Sequence, residues 1–188
     1  MKASRCHRGT DDTSLKMTPM SETPTQYTQR ILSNVGDADP WEVLTSTAGR
    51  LRQLVEGRSE DMLRQKPAPG RWSVAEILAH LADCEVVAGW RLRSILVSSG
   101  TALQPFDQDR WAEVFTYEQT PPGESLDLFE ANRRGTLRVL RSVDPALYEN
   151  FGMHEERGRE SVSHLIRLYA GHDLNHLRQV EGLLSKPA

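Results

Sequence analysis

The sequence predicts an all-α domain, a four-helix bundle, and three observations carry that expectation. Beyond residue 26, apolar residues recur at the three-and-four spacing of a helix. Alternating β-branched runs are scarce. Four of the periodic segments are long and amphipathic, and four amphipathic helices cover their apolar stripes only by packing on one another. The chain has 188 residues, the length of one domain plus a tail.

Met1 to about Gln26 is rich in Ser, Thr, Asp and Pro and nearly free of apolar residues. Such a segment buries too little to offset its ordering entropy, so 1–26 is expected to be a disordered tail and 27–188 the domain. Met17 and Met20 lie inside that tail, leaving Met1, Met17 and Met20 as alternative starts. The first helix opens at Asp39-Pro40, an N-cap with Pro at N1, and carries Leu44, Ala48, Leu51 and Val55 to a stop at Gly57. A short turn over Ser59–Gln65 and the breaker Pro-Ala-Pro-Gly at 67–70 follow. The second helix starts with the capping box Ser73-Val-Ala-Glu76 and runs to about Ser99, before Gly100. Its stripe is Val74, Ile77, Leu78, Leu81, Cys84, Ala88, Leu92 and Ile95. The third spans about Ser125–Ser142, with Leu126, Phe129, Leu137 and Leu140 on one face. The fourth begins near Ser161 and carries Val162, Leu165, Ile166, Tyr169, His172, His176, Val180 and Leu183. Between helices two and three, a linker from Gly100 to Glu124 is long enough for a parallel crossover along the bundle. Its Phe106, Trp111, Phe115 and Tyr117 are too aromatic for a solvated loop and are expected to pack over one bundle end.

Composition excludes several function classes. The 23 basic and 26 acidic residues are interleaved and leave a net charge of −3, with no basic stripe to meet nucleic acid. The longest apolar run, Val86 to Trp90, is far short of the ~18 residues of a membrane span, and no basic amphipathic segment suggests a membrane surface. The N-terminus lacks a hydrophobic signal region, and two cysteines, Cys6 and Cys84, make no disulfide framework. A cytoplasmic protein is expected.

The sharpest chemical feature is His172-Asp-Leu-Asn-His176. Positions i and i+4 share a helix face, so both imidazoles can reach one ion, and both fall on the otherwise apolar stripe of Leu165, Tyr169 and Leu183. Two readings stand: metal ligands, or buried histidines satisfied by hydrogen bonds. His80, on the edge of the second helix's stripe, is the natural third ligand from a facing helix, or a packed, hydrogen-bonded residue. Cys84, four residues on, is either a further ligand or a small buried hydrophobe. Glu76 serves the capping box or bonds His80. His164 falls on the solvent side, and His154 lies on the loop before the fourth helix, at the surface or on the bundle rim. Arg133 interrupts the third helix's stripe; it either snorkels outward or enters the bundle mouth to hold an anionic substrate or cofactor group. Asp173 and Glu85 are candidate bases near the histidines. There is no phosphate loop, serine elbow or zinc-knuckle cysteine pattern.

Three stretches, Arg-Trp-Ser-Val-Ala-Glu-Ile-Leu-Ala-His-Leu-Ala-Asp-Cys-Glu at 71–85, Phe-Asp-Gln-Asp-Arg-Trp-Ala at 106–112 and Gly-His-Asp-Leu-Asn-His-Leu-Arg-Gln at 171–179, together resemble the DinB/YfiT-like family of bundle proteins. This is not the DNA polymerase that shares the name. The resemblance covers about Tyr27–Leu184. It implies up-down-down-up topology, a divalent metal (Zn or Ni) on His80, His172 and His176, and frequent homodimers. Characterised members include low-molecular-weight thiol S-transferases and a thiol-dependent isomerase. The expected function is therefore a metal-dependent thiol S-transferase or detoxification enzyme taking a small-molecule substrate and a low-molecular-weight thiol, with Arg133 orienting a cofactor carboxylate. A metal-dependent hydrolase using bound water, and a non-catalytic ligand-binding or stress-response bundle, are the alternatives.

Overall fold

The computed structural model describes residues 22–185. Four long helices dominate it: α2 (Pro40–Val55), α4 (Val74–Val97), α6 (Pro122–Ser142) and α7 (Val162–Leu184). Shorter helices are α1 (Pro24–Ser33), α3 (Glu60–Arg64) and α5 (Gln108–Val114), and a 3-10 turn over Pro145–Glu149 with strands β1 (Thr101–Leu103), β2 (Phe151–His154) and β3 (Gly158–Ser161) completes the described residues. The caps read at Asp39 and Ser73 form, and Ser161 caps the fourth long helix. Asp39 accepts from Trp41 N, the Ser73/Glu76 box closes in both directions, and Ser161 accepts from His164 N. Gly100, in the left-handed region at φ +87°, turns the chain after α4.

Two apolar clusters fix the helix directions. One gathers Val43 and Leu44 from the start of α2, Leu92 and Ile95 from the end of α4, Leu137 and Leu140 from the end of α6, and Val162 and Leu165 from the start of α7. The other gathers Leu51 from the end of α2, Val74 and Ile77 from the start of α4, Leu126 and Phe129 from the start of α6, and Leu177 and Val180 from the end of α7. Thus α4 and α6 run one way and α2 and α7 the other, which is the up-down-down-up arrangement. The linker between α4 and α6 must then travel the bundle's length. It begins in the sheet at one end, where β1 pairs in parallel with β2. It passes α4, where Tyr117 donates to Asp83 at 2.5 Å, and reaches α3 at the other end, where Arg64 donates to Glu118 O. The expected packing over one bundle end is therefore replaced by packing along the side of α4.

Other departures are local. Residues 1–21, with the alternative starts Met17 and Met20, lie outside the described residues, but the expected tail boundary at Gln26 moves: Thr23 and Gln26 form a capping box and Pro24 opens α1. Helix α1 lies against α7 where Gly171 lacks a side chain; a Cβ there would meet Ile31 O at 2.1 Å. His154 is in β2 and buried, not on a surface loop. Among the described residues no helix is long and apolar enough to cross a membrane.

Candidate metal centre

Helices α4 and α7 bring three imidazoles together in the bundle interior. His80 comes from the second turn of α4, and His172 and His176 from successive turns of α7. His172 Nε2 is 3.2 Å from His80 Nε2 and 3.1 Å from His176 Nε2, and one ligand atom from each residue lies within 4.8 Å of the others. The rings are 1%, 7% and 7% exposed, so they are nearly sealed from bulk water. Trp72 covers His80 with ring centroids 4.8 Å apart. Burial, reinforced by His176, pushes His80 down to about 3; burial likewise drives His172 well below its ordinary value and His176 down to about 4, against the opposing pull of Gln179. All three are neutral near pH 7, the form that donates a lone pair.

The proton inventory shows that a cation fits. Gln179 Oε1 accepts from His176 Nδ1 at 2.8 Å, so that ring's proton is on Nδ1 and its Nε2 is a bare lone pair. His172 Nε2 stands between two ring nitrogens but carries at most one proton. Protons alone can therefore satisfy one of its two contacts, whereas a cation shared by three lone pairs satisfies the whole cluster. Gln179 plays the part usual for a group behind a metal-binding histidine, fixing the tautomer. Cys84 Sγ borders the cluster, 3.4 Å from His80 Nε2 and 3.9 Å from His172 Nε2, and burial pushes its thiol well above the usual range. Glu76 is occupied by Ser73 N and Lys66 rather than by His80.

Arg133 neither snorkels nor faces a bundle mouth. It is buried, and its guanidinium is spent inside the protein. Nε donates to Glu85 Oε2 at 2.8 Å, Nη1 to Asp173 Oδ2 at 2.6 Å and to Leu44 O at 3.0 Å, and Nη2 to Asp173 Oδ1 at 3.1 Å while lying 2.8 Å from Glu85 Oε2. Burial opposes its charge, but the two carboxylates outweigh that and hold it protonated. No donor remains for a substrate or cofactor anion. The same contacts tie both oxygens of Asp173 and one oxygen of Glu85, the two candidate bases, to Arg133, while Glu85 Oε1 is buried without a hydrogen-bond partner among the described residues. Instead Arg133 links α6 to α2, α4 and α7 beneath the histidines. The helices that carry the imidazoles are thereby held in one register.

Comparison with known proteins places the fold. The family model described as the DinB superfamily matches residues 44–180. The chain belongs to the DinB superfamily. Among its curated relatives in that company, a protein of Oceanobacillus iheyensis named "Putative metal-dependent hydrolase" is 29% identical, covering 72% of this chain and 78% of its own. YfiT of Bacillus subtilis, which carries the same description, is 24% identical over 84% of this chain and 90% of its own. The solved structure of Bacillus subtilis YfiT, described as having an unusual four-helix bundle topology, superposes with a TM-score of 0.71 at 20% identity, covering 88% of this chain and 90% of that one. The likeness in structure is one of fold.

In this DinB-superfamily bundle two cavities adjoin the histidine cluster, one at His176 and one at His172. One, of about 490 Å³, is lined by His176, Trp72, Arg71 and Gln179; the other, of about 290 Å³, by His172, Cys84, Arg91 and Tyr169. Tyr27 and Gln108 border both. Tyr27 belongs to α1 and Gln108 to α5, neither of which was expected as a helix from the sequence. The Thr23-Pro24-Thr25-Gln26 capping box was a readable signal for α1. Arg91, seven residues after Cys84, continues the buried face of α4 and was readable in the same way.

Proposed function

We propose that the chain is a metal-dependent thiol S-transferase acting on a small molecule, with His80, His172 and His176 as the ligands of a divalent ion. The observation that carries the reading is a cluster of three buried, neutral imidazoles with one cavity against His176 and another against His172, which suits chemistry that joins two ligands. A three-imidazole set leaves coordination positions open, and a divalent ion there lowers the pKa of a coordinated thiol, or of water, toward neutrality. The chain's own residues supply the rest. Gln179 holds His176 in the tautomer that presents Nε2, Arg133 fixes the register of α4 and α7, and Trp72 and Tyr27 shield the cluster from water.

A second reading, a hydrolase acting through bound water, is supported by the names its relatives carry. Its candidate bases are constrained by Arg133, which takes both oxygens of Asp173 and one of Glu85 and leaves Glu85 Oε1 unpaired among the described residues. The test is to load the protein with Zn or Ni and follow loss of a model electrophile, monobromobimane, with and without a panel of small thiols, beside hydrolysis of p-nitrophenyl acetate. Thiol conjugation that requires the metal and is lost in His172→Ala supports the transferase. Metal-dependent ester cleavage without thiol supports the hydrolase. Metal uptake with neither activity supports the non-catalytic bundle.

A further inference from the structure

The buried arginines of this protein are unequal. Arg133 spends every donor on protein acceptors. Arg91, on α4 and 5% exposed, has no carboxylate within ion-pair distance among the described residues. Its Nη2 donates to Gln104 O, its guanidinium lies 6.0 Å from the Phe106 ring centroid, and another polar neighbour is the neutral Tyr169 hydroxyl, so no anion meets it among the described residues. Burying a guanidinium without a counter-ion is costly unless something else supplies the negative charge.

A second observation points the same way. His154, 2% exposed in β2, accepts from Glu156 N at its Nδ1, so the proton of the neutral ring is on Nε2. That Nε2 stands 3.4 Å from Arg91 Nη2. Two N–H donors face each other with no shared acceptor, which is an arrangement for an anion rather than a hydrogen bond. Arg91 lines the smaller cavity, the one that also holds His172 and Cys84. Of the other charged groups on that cavity, Glu22 pairs with Arg30 and Arg157 with Glu160, while Glu156 is exposed and makes no ion pair with Arg91.

We propose that the smaller cavity binds a carboxylate-bearing small-molecule thiol, its carboxylate on Arg91 with His154 Nε2–H as a second donor, and its sulfur directed to the histidine cluster. The direction toward the cluster rests on the metal-dependent reading above; the carboxylate subsite does not. Cys84 and Arg91 are seven residues apart on one helix, about 10 Å along its axis, so the ligand needs several atoms between its two ends. Arg91 thus takes the anion-binding part that the sequence suggested for Arg133.

The test uses the full chain loaded with Zn and a ladder of ω-mercaptoalkanoates of increasing chain length, each beside its methyl ester, with binding read by calorimetry. The acid should bind about ten-fold or more tightly than the ester at one optimal length, as expected for a charge-assisted bidentate contact. Arg91→Gln should erase the difference while leaving ester affinity and Zn stoichiometry unchanged, and Arg91→Lys should restore part of it. Equal binding of acid and ester along the whole ladder, with Zn still bound, overturns the carboxylate subsite and leaves the metal reading standing. Hexanoate titrated into the metal-free chain separates the converse. Binding that Arg91→Gln abolishes supports the subsite even if no metal is taken up, and binding that the variant leaves intact, or no binding, overturns it. Should Arg91→Gln fail to fold, the acid–ester comparison on the unaltered chain decides.

Discussion

Replacing Arg133 by Met removes the one cation between two buried carboxylates while keeping much of the side-chain volume. Glu85 and Asp173 are 2% and 1% exposed at the side chain, so water cannot take over the lost ion pairs. Breaking a buried pair from one side typically costs about 3–5 kcal/mol, because a charge is left uncompensated. That is a large share of the roughly 5–15 kcal/mol that stabilises an ordinary domain. For a chain of this length each kcal/mol lowers the melting temperature by about 2–4 °C, so Arg133→Met should melt about 6–20 °C lower. Urea denaturation followed by circular dichroism gives the free energy directly. Adding Glu85→Gln and Asp173→Asn to the variant should recover much of the loss, since neutral amides are cheaper to leave buried. The deficit should also shrink on acidification. Burial already raises the Glu85 carboxyl above its ordinary value, and losing Arg133 removes the opposing pull, so its penalty is present at neutral pH and fades as pH falls through that raised value. A loss below about 1 kcal/mol at pH 7 would refute the reasoning, since that is the scale of a solvent-exposed pair.

Three further outcomes follow from the same geometry. Gln179→Leu should weaken Zn affinity by about 10–100-fold, measured by competition with a chromophoric chelator, because His176 loses the partner that fixes its tautomer; unchanged affinity would remove Gln179 from the site. The metal-free protein should lose stability on acidification from about pH 6.5 toward 4. Burial holds His80 down to about 3 and His154 and His176 to about 4, so the unfolded chain binds protons the folded one refuses, at up to about 1.4 kcal/mol per pH unit per group. Urea midpoints across that range check the slope, which should be shallower in His80→Gln; identical slopes would show that His80 is not buried neutral. Gly171→Ala should push α1 off α7, since the new Cβ meets Ile31 O at 2.1 Å, at a cost of about 1–3 kcal/mol. Limited proteolysis should then cut within 24–33, and an unchanged digestion pattern would count against that packing.

Three of the long helices were legible through their own punctuation, and α6, which has no side-chain cap, through its apolar stripe alone. Asp39-Pro40, Ser73 with Glu76, Ser161 and Gly100 mark ends that need no tertiary partner to be understood. The histidine constellation was legible for a related reason: i, i+4 spacing and position on an apolar stripe are properties of a single helix, and His80 then followed from the need for a facing one. What escaped was made by partners remote in sequence. Strands of three or four residues, β1 to β3, carry no usable alternation and exist through pairing of Thr101–Leu103 with Gly152–His154. Arg133's place on its stripe hinted at burial, but its saturation by Glu85, Asp173 and Leu44 O depends on three other helices. His154 was misplaced at the surface because only the sheet buries it. Helix α1 was missed although its cap was readable, because Tyr27 and Ile31 alone make too thin a stripe to outweigh the polar tail before them.

X-ray absorption at the zinc edge of the stoichiometrically loaded chain reads the donor set without reference to any substrate. Three imidazole nitrogens at about 2.0–2.1 Å around one zinc per chain is the expected spectrum, falling to two in His172→Ala. Uptake well below one zinc per chain, or a ligand shell of oxygen alone, would contradict a shared cation among residues 80, 172 and 176.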